Sequence, residues 1–333
     1  MAMSQRVSQQ SPQQESRDQR TRRTGVLVLV AAGVTVVLWA SAFVGVRAAG
    51  HDFSPGALAL GRQLAGSVGL TAIVLVRAAR RADPLSSGPV ASIVSGLPRL
   101  PRGSTLVAVV AWGVAWFALY NLALNAAEQH LDAGTTALLV NVAPVLVAVL
   151  AGTLLGEGFP RRLLAGMAVA FSGVAVITVT TSTGRADVVG VALGLGAAAL
   201  YAGSATAQKR LLSRVDALTM TWLGCVAGTV ACLPFAPALL REIAVAPGSS
   251  TAAVLYLGFF PTAVAFTTWG YALSRTSAGR LAASTYLVPS LVVVLSWALL
   301  AEVPAPFALV GGLLSLAGVA LATLPGRRRR EGR

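Results

Sequence analysis

The segment NVAPVLVAVLAGTLLGE, residues 141–157, is repeated in outline by YLVPSLVVVLSWALLAE, residues 286–302. Both segments place a proline three residues after the first residue, continue as an apolar run and end in Leu-x-Glu. The shift between them is 145 residues, and the same shift relates Ala133-Gly134 to Ala278-Gly279 and Gly166 to Gly311. A shift that stays constant over this length indicates two copies of one structural unit.

The composition places the chain in a membrane. Apolar residues make up 55% of its 333 residues and charged residues only 11%, whereas a soluble domain carries about 25% charged residues. The runs Leu106–Leu124 and Val188–Gln208 contain no acidic residue and are long enough to cross the hydrocarbon as helices. They are apolar on every face, unlike the alternating strands of a membrane barrel. The predicted fold class is therefore an all-α polytopic membrane protein.

Apolar runs and the breakers between them predict ten transmembrane helices. Glycines are plentiful in the fifth and tenth runs and predict close helix packing there, among them Gly166, Gly173 and Gly318. The predicted spans are 26–47, 55–77, 104–126, 132–155, 161–182, 188–208, 216–239, 251–273, 279–300 and 304–325.

The polar ends of the chain are expected to be tails. Residues 1–25 are rich in Gln, Ser and Arg and lack a core-forming pattern, which predicts a disordered cytoplasmic tail. The apolar stretch that follows is longer than the core of a signal peptide, so it is expected to stay in place as the first span. Residues 326–333 are expected to form a basic cytoplasmic tail.

Positive charges set the expected orientation. With the N-terminus in the cytoplasm, 22 of the 26 Lys and Arg residues fall in cytoplasmic loops and tails. Only Arg47, Arg185 and Arg241 fall outside, and Arg62 lies within a span. This is the positive-inside asymmetry of a multi-pass protein of the cytoplasmic membrane with both termini in the cytoplasm. Topology thereby explains the formal charge of +14, and no nucleic-acid partner is expected.

The repeat divides the chain into two five-span units, residues 26–182 and 188–325. Because five is odd, the two units must cross the membrane in opposite senses and form inverted repeats. Inverted repeats are typical of secondary transporters, whose substrate site lies near the membrane midplane between the halves. A duplication retained for structure alone is the alternative.

These features resemble the EamA family of the drug/metabolite transporter superfamily. The resemblance covers residues 26–325 and rests on LWASAFVGVRAAG from Leu38, SPGALALGRQLAG from Ser54 and the duplicated Pro…Leu-x-Glu segment. It implies a ten-helix bundle around a central cavity and small organic metabolites as substrates, commonly exported. The predicted function is a secondary transporter that exports a small metabolite or drug-like molecule by alternating access. A non-transporting membrane receptor or scaffold built on the same bundle is the alternative.

Arg62 is the most informative single residue, because it lies inside the second span. An unpaired arginine in the hydrocarbon costs at least about 2.5 kcal/mol, so its side chain should face the bundle interior or a water-filled cavity. It matches the helix 2 arginine of the EamA family. The functional interpretation is a contact with a carboxylate or a gating pair. The structural alternative is snorkelling or bonding to carbonyls at a helix end.

Aromatic and amide side chains in the middle of the spans are the other candidates for a binding cavity. Belt aromatics lie at helix ends, whereas these lie mid-span, and helix packing is the alternative for each of them. An amide in a membrane bonds to another helix or to a ligand. The expected cargo is a small neutral or zwitterionic metabolite. The predicted substrate-binding residues are Arg62, Trp116, Tyr120, Asn121, Asn141, Tyr201, Trp269 and Tyr286.

Other function classes lack the residues they need. His51 and His130 lie in predicted outer loops, no helix carries paired carboxylates, and no Gly-Lys-Ser or Gly-Lys-Thr phosphate loop is present. No enzyme activity, metal or cofactor is therefore predicted. The expected partners are the substrate and the lipid bilayer, and a homodimer is left open. Helix-end bonding accounts for Glu157 and Glu302; facilitated diffusion, exchange and coupling through an edge carboxylate remain open.

Overall fold

The computed structural model describes residues 12–81, 95–131, 136, 139–181, 188–300 and 306–323. Every regular element within these residues is a helix. The helices are α1 (Pro12–Ala49), α2 (Pro55–Arg81), α3 (Ser104–His130), α4 (Ala143–Leu154), α5 (Arg161–Thr181), α6 (Val188–Leu211), α7 (Ala217–Val245), α8 (Gly248–Leu273), α9a (Ala278–Ser284), α9b (Leu287–Leu300) and α10 (Pro306–Thr323).

Helical structure is present in each of the ten stretches that the sequence predicts to cross the membrane. Among the described residues, α1, α2, α3, α6, α7 and α8 are long and apolar enough to span a bilayer. The prediction of an all-α, multi-pass membrane protein is thus confirmed. The other four crossings stay predictions.

The first helix begins earlier than the first predicted span. α1 starts at Pro12, inside the stretch for which composition predicts a disordered tail. Gln, Glu and Arg between Pro12 and the apolar run are favourable helix residues, so the helix continues backward without a break. Residues 1–11, the basic tail at 326–333 and Glu302 lie outside the described residues.

Helices of the first half pack mainly against helices of the second half. α1 packs on α8 and α9, and α6 packs in the corresponding way on α3 and α4. α2 packs on α7 and α8, and α7 likewise packs on α2 and α3. α4 packs on α9a and α5 packs on α10. Each contact between helices therefore has its counterpart after the two halves are exchanged, which is the pattern that two-fold related repeats produce.

Irregularities in the helices also recur at the repeat spacing. α3 contains a π-helical segment at Val114–Leu119, and α8 contains one at Gly258–Val264. A shift of 145 residues carries the first segment onto 259–264. A turn at 141–142 precedes α4, and a turn at 285–286 separates α9a from α9b. The local departures from α-helix are thus part of the repeated unit, and π segments of this kind occur frequently at functional sites.

Charged side chains satisfy helix ends at one end of the bundle. The Glu157 carboxylate accepts hydrogen bonds from the backbone N–H groups of the first two residues of α9a, at 2.7 and 3.2 Å. Lys209 Nζ donates to two carbonyls at the end of α8, at 2.7 and 2.6 Å. Arg210 Nη2 donates to the carbonyl of Leu154 at the end of α4, at 2.6 Å. The expected helix-end bonding of Glu157 is confirmed, and each charge opposes the partial charge of the helix end that it meets. This end also carries most of the arginines and is called the arginine-rich end below.

Glycine permits the closest contact between the two halves, which is the one between α5 and α10. A Cβ atom on Gly318 would lie 2.3 Å from the backbone nitrogen of Ala170, and one on Gly166 would lie 2.6 Å from the carbonyl oxygen of Gly318. Helices in lipid associate through such small residues because no hydrophobic force drives them together. The close packing that the sequence predicts here is confirmed.

Replacing Gly318 with alanine should lower the free energy of unfolding by about 1–3 kcal/mol, the usual cost of overpacking. Gly312→Ala is the matched control on the same helix, since its nearest neighbour would be the Ser290 side chain at 3.7 Å. Gly312→Ala should leave stability unchanged or slightly raised, because alanine is the better helix former. Thermal denaturation of the purified proteins in detergent measures both effects. Equal behaviour of the two variants would contradict the close approach.

Candidate functional site

A cavity lies between the two halves, with walls from α1, α2, α3, α6, α8, the α9 region and the residues around the start of α4. It encloses about 780 Å³ of space between protein atoms, counting its open mouth. Sites for small organic molecules have volumes of about 300–1,000 Å³ and are mostly apolar with a few polar groups. This cavity has that character.

Six of the eight predicted binding residues line the cavity. Trp269 and Tyr286 do not. The six that line it are Arg62, Trp116, Tyr120, Asn121, Asn141 and Tyr201.

Trp269 and Tyr286 lie behind the wall. Trp269 packs against Trp39, with ring centroids 5.0 Å apart, and its Nε1 donates to Gln208 Oε1 at 3.0 Å. Tyr286 packs against Phe171 of α5 at 6.4 Å. Thr285, the residue before Tyr286, lines the cavity instead, because successive helical residues point about 100° apart.

Arg62 is a buried cation on the cavity wall. Its side chain is 6% exposed and its Nε donates to Thr262 Oγ1 of α8 at 3.3 Å. The side chain therefore faces the interface between the halves, as the cost of an arginine in hydrocarbon requires.

The π segment of α3 exposes backbone carbonyls that amide side chains satisfy. Asn121 Nδ2 donates to the carbonyls of Trp116 and Phe117, at 3.1 and 3.0 Å. Gln63 Nε2, from α2, donates to the same Phe117 carbonyl at 2.8 Å. Asn121 thus stabilises the segment that carries Trp116 while it lines the cavity.

Five aromatic rings close the cavity toward the arginine-rich end. Their ring centroids lie 5.0 to 6.3 Å apart in tilted and edge-on arrangements, the geometries that aromatic pairs favour. Trp116 is fully buried and Trp269 is 1% exposed. This aromatic floor consists of Trp39, Trp116, Tyr201, Phe266 and Trp269.

The cavity extends from the aromatic floor toward the opposite end of the bundle. On that side its lining includes Val46, close to the end of α1, and Glu128, close to the end of α3. The sequence analysis assigned the outer limit of the third span to residue 126, so Glu128 was taken as a loop residue. The structure places it in the last turn of α3 and on the cavity wall. Its spacing of seven residues from Asn121, two helical turns along one face, is the signal that could have found it.

The floor residue Phe266 and the neighbouring Phe43 also line the cavity. Neither had a polar neighbour or a motif that would have singled it out in the sequence.

α6 carries buried polar groups that lack hydrogen-bond partners among the described residues. Ser204 Oγ and Gln208 Nε2 are of this kind, and they lie four residues apart on one helical face. Only Gln208 Oε1 can accept the Trp269 indole proton, so the amide nitrogen is the unpaired atom. Both residues follow Tyr201 along α6 from the cavity toward the arginine-rich end. Nearly all buried polar side-chain atoms in proteins are paired, so these two are exceptional.

Among the residues that the structure describes, no group of three or more His, Cys, Asp or Glu side chains could hold a metal ion. The chemistry of the site is therefore built from one guanidinium, one carboxylate, amides and aromatic rings.

The EamA-like transporter family model matches the chain twice, over residues 23–179 and 188–324. The chain belongs to the EamA-like transporter family. Together with its membrane-spanning helices, this membership makes it a multi-pass membrane transporter.

Similar proteins agree with this assignment. This EamA-like transporter is 37% identical over 306 residues to a "Probable terminal-alkyne amino-acid exporter" of Streptantibioticus cattleyicolor, covering 89% of this chain and 96% of the relative. It is 28% identical over 303 residues to the uncharacterized transporter YdfC of Bacillus subtilis, covering 91% of this chain and 93% of the relative. One solved crystal structure superposes with a TM-score of 0.71 at 20% identity, covering 90% of this chain and 98% of that one. The last comparison shows that the fold is shared.

Asn121→Leu should lower the free energy of unfolding by about 1–3 kcal/mol, because the carbonyls that Asn121 satisfies would be left in a buried, water-poor place. Asn125→Leu is the matched control one turn along α3. Asn125 makes one printed bond, from Nδ2 to the Pro55 carbonyl at 3.1 Å, and its Oδ1 is already unpaired. Its replacement should therefore cost less. Thermal denaturation in detergent compares the two, and a larger loss for Asn125→Leu would contradict this account of the π segment.

Proposed function

We infer that this EamA-like transporter is a secondary transporter that exports a small zwitterionic metabolite, an amino acid in the first instance, across the cytoplasmic membrane. The observation that carries the proposal is the pair of opposite charges on one cavity wall, Arg62 and Glu128, with aromatic surface around them. Charged groups inside a membrane protein mark substrate pathways because they are costly to keep there.

An amino acid fits this arrangement of charges. Its carboxylate would bind Arg62, whose planar fork suits a bidentate carboxylate. Its ammonium group would lie toward Glu128. Its side chain would pack against Trp39, Trp116 and Tyr201, since an aromatic wall gains from apolar contact and excludes water. The name of the relative from Streptantibioticus cattleyicolor, an exporter of an amino acid with a terminal alkyne, supports the same substrate class. Asn121 and Asn141 would supply hydrogen bonds from the wall.

Alternating access between two inverted repeats is the proposed mechanism. The paired packing of helices between the halves, the recurring π segments and the double match to the family model support the repeat. Five spans in each half then require opposite orientations in the membrane. Two such units can exchange conformations at little cost in free energy, because each takes the place of the other.

The positive-inside rule assigns the arginine-rich end to the cytoplasm. The conformation described here then has its cytoplasmic end closed by the aromatic floor and its cavity on the outer side, which is the state from which an exporter releases cargo. Both termini lie in the cytoplasm in this topology. The homodimer stays a prediction.

Counterflow in proteoliposomes tests the function. The probes are labelled L-propargylglycine and a panel of proteinogenic amino acids, with pent-4-ynoic acid and but-3-yn-1-amine as analogues that lack the amino or the carboxyl group. We expect exchange of at least one amino acid. A receptor or scaffold would bind a probe without moving it, and absence of counterflow for the whole panel would overturn the proposal.

Arg62→Ala should lower transport of the active amino acid by about 30-fold or more, since removing one partner of a buried charge pair costs at least about 2 kcal/mol. Arg62→Lys should restore part of it, because lysine keeps the charge and lacks the fork. Glu128→Gln should weaken competition by the amino acid and by but-3-yn-1-amine, and leave competition by pent-4-ynoic acid unchanged. Lower thermal stability of Arg62→Ala with normal specific transport would show that Arg62 is structural.

Cysteine labelling tests the orientation. Cys225 and Cys232 are fully buried, so they should give little background with a membrane-impermeant maleimide. Arg241→Cys should be labelled in intact cells, and Arg99→Cys only after the membrane is permeabilised, because the charge count puts these exposed residues on opposite sides. Labelling of Arg99→Cys in intact cells would contradict this topology.

A further inference from the structure

We propose that Thr262 is a positioning residue for substrate recognition: its hydroxyl fixes the direction in which Arg62 presents its guanidinium to the substrate's carboxylate. This inference rests on the function proposed above and adds a residue that contacts Arg62 across the two halves. It follows from a chain of three contacts that begins with a proline in α8.

Pro261 lies inside the π segment of α8. A proline has no N–H group, and its ring clashes with the carbonyl four residues earlier, which here belongs to Leu257. In hydrocarbon such a carbonyl needs another donor. Thr262 supplies it, since its Oγ1 donates to the Leu257 carbonyl at 2.9 Å.

This donation determines what the hydroxyl can do next. A threonine hydroxyl has one proton and two lone pairs. With the proton directed at Leu257, the oxygen presents lone pairs only, and it accepts the Arg62 Nε proton at 3.3 Å. Thr262 is fully buried, so bulk water does not compete for these positions. The direction of the bond to Arg62 is therefore set by the backbone of α8.

The backbones of α2 and α8 are held close at the same place. A Cβ atom on Gly258 would lie 2.6 Å from the Arg62 carbonyl oxygen, and one on Gly66 would lie 2.8 Å from the Thr262 side chain. Neither helix can shift toward the other, and the distance from Thr262 to Arg62 is correspondingly constrained.

With Nε held by Thr262, the guanidinium plane has little freedom to rotate. The two terminal nitrogens are the part of the fork that remains for bidentate binding of a carboxylate. A guanidinium without this anchor would keep its charge and lose its alignment. The expected effect of removing the hydroxyl is thus a loss of discrimination in favour of carboxylates rather than a loss of transport.

The alternative is that Thr262 serves the fold alone, by satisfying the Leu257 carbonyl. That role predicts lower thermal stability in the absence of the hydroxyl and an unchanged preference for carboxylates. The two roles are separated by a ratio of affinities, which a purely structural change does not move.

The experiment measures how well L-propargylglycine and but-3-yn-1-amine compete with counterflow of the active amino acid. The ratio of the two half-inhibitory concentrations reports recognition of the carboxylate. Thr262→Val should reduce this ratio by about tenfold, the size expected for a lost hydrogen bond to a charged group. Thr262→Ser should keep the wild-type ratio, because it keeps the hydroxyl.

Thr221→Val is the matched control. Thr221 is fully buried, and its Oγ1 donates to the carbonyl of Ala217, four residues earlier on α7. It does not line the cavity. We expect the wild-type ratio from Thr221→Val. If Thr262→Val fails to fold, Thr262→Ala replaces it, since the smaller side chain cannot press on α2.

Arg62→Ala, measured beside these variants, separates the two proposals. If it leaves the ratio unchanged, Arg62 does not read the carboxylate, and both the proposed site and this inference fail. If Arg62→Ala collapses the ratio and the Thr262 variants without a hydroxyl keep it, only the positioning role of Thr262 is overturned. A collapsed ratio in Thr262→Ser would overturn it as well.

Discussion

Hydrocarbon offers no hydrogen-bond partner to a backbone group, and the irregular parts of this transporter depend on that constraint. A helix in lipid can widen or stop only where the protein itself supplies donors and acceptors. Asn121 and Gln63 do so for the π segment of α3, and Thr262 does so for α8. Glu157 does the same for the beginning of α9a. Most of these side chains come from a helix other than the one they satisfy, so the irregular segments and the packing of the halves stabilise each other.

The same solvent determines the character of the cavity. A charge inside the bundle is expensive, so it persists where another polar group or a function holds it. Arg62 is held by a hydroxyl of the opposite half, and Glu128 lies on the same cavity wall. Between these groups the wall is aromatic, which gives the site a strong dipole inside an apolar shell. The arrangement suits ligands whose own charges are separated by a short distance.

Composition and repeat spacing predicted the membrane class, the ten helical stretches and the close packing of α5 on α10. These properties follow from long apolar runs and from glycine spacing, which are visible without tertiary contacts. The position of a side chain around its helix is less visible. Tyr286 follows a turn that rotates it away from the cavity, whereas Thr285 faces inward. Trp269 lies one turn past Phe266 and falls behind the wall. Glu128 was missed because the predicted span ended before the helix does.

The unpaired groups on α6 have a thermodynamic consequence. Ser204 Oγ and Gln208 Nε2 are buried beneath the aromatic floor without partners among the described residues, and each such group costs roughly 1–3 kcal/mol relative to a hydrated one. The closed packing of that half is therefore less favourable than its aromatic contacts alone imply. Wetting of α6 would recover hydrogen bonds at the moment when ring contacts are lost. The two contributions oppose each other, so the dry and hydrated forms of this half lie closer in free energy than an all-apolar plug would allow.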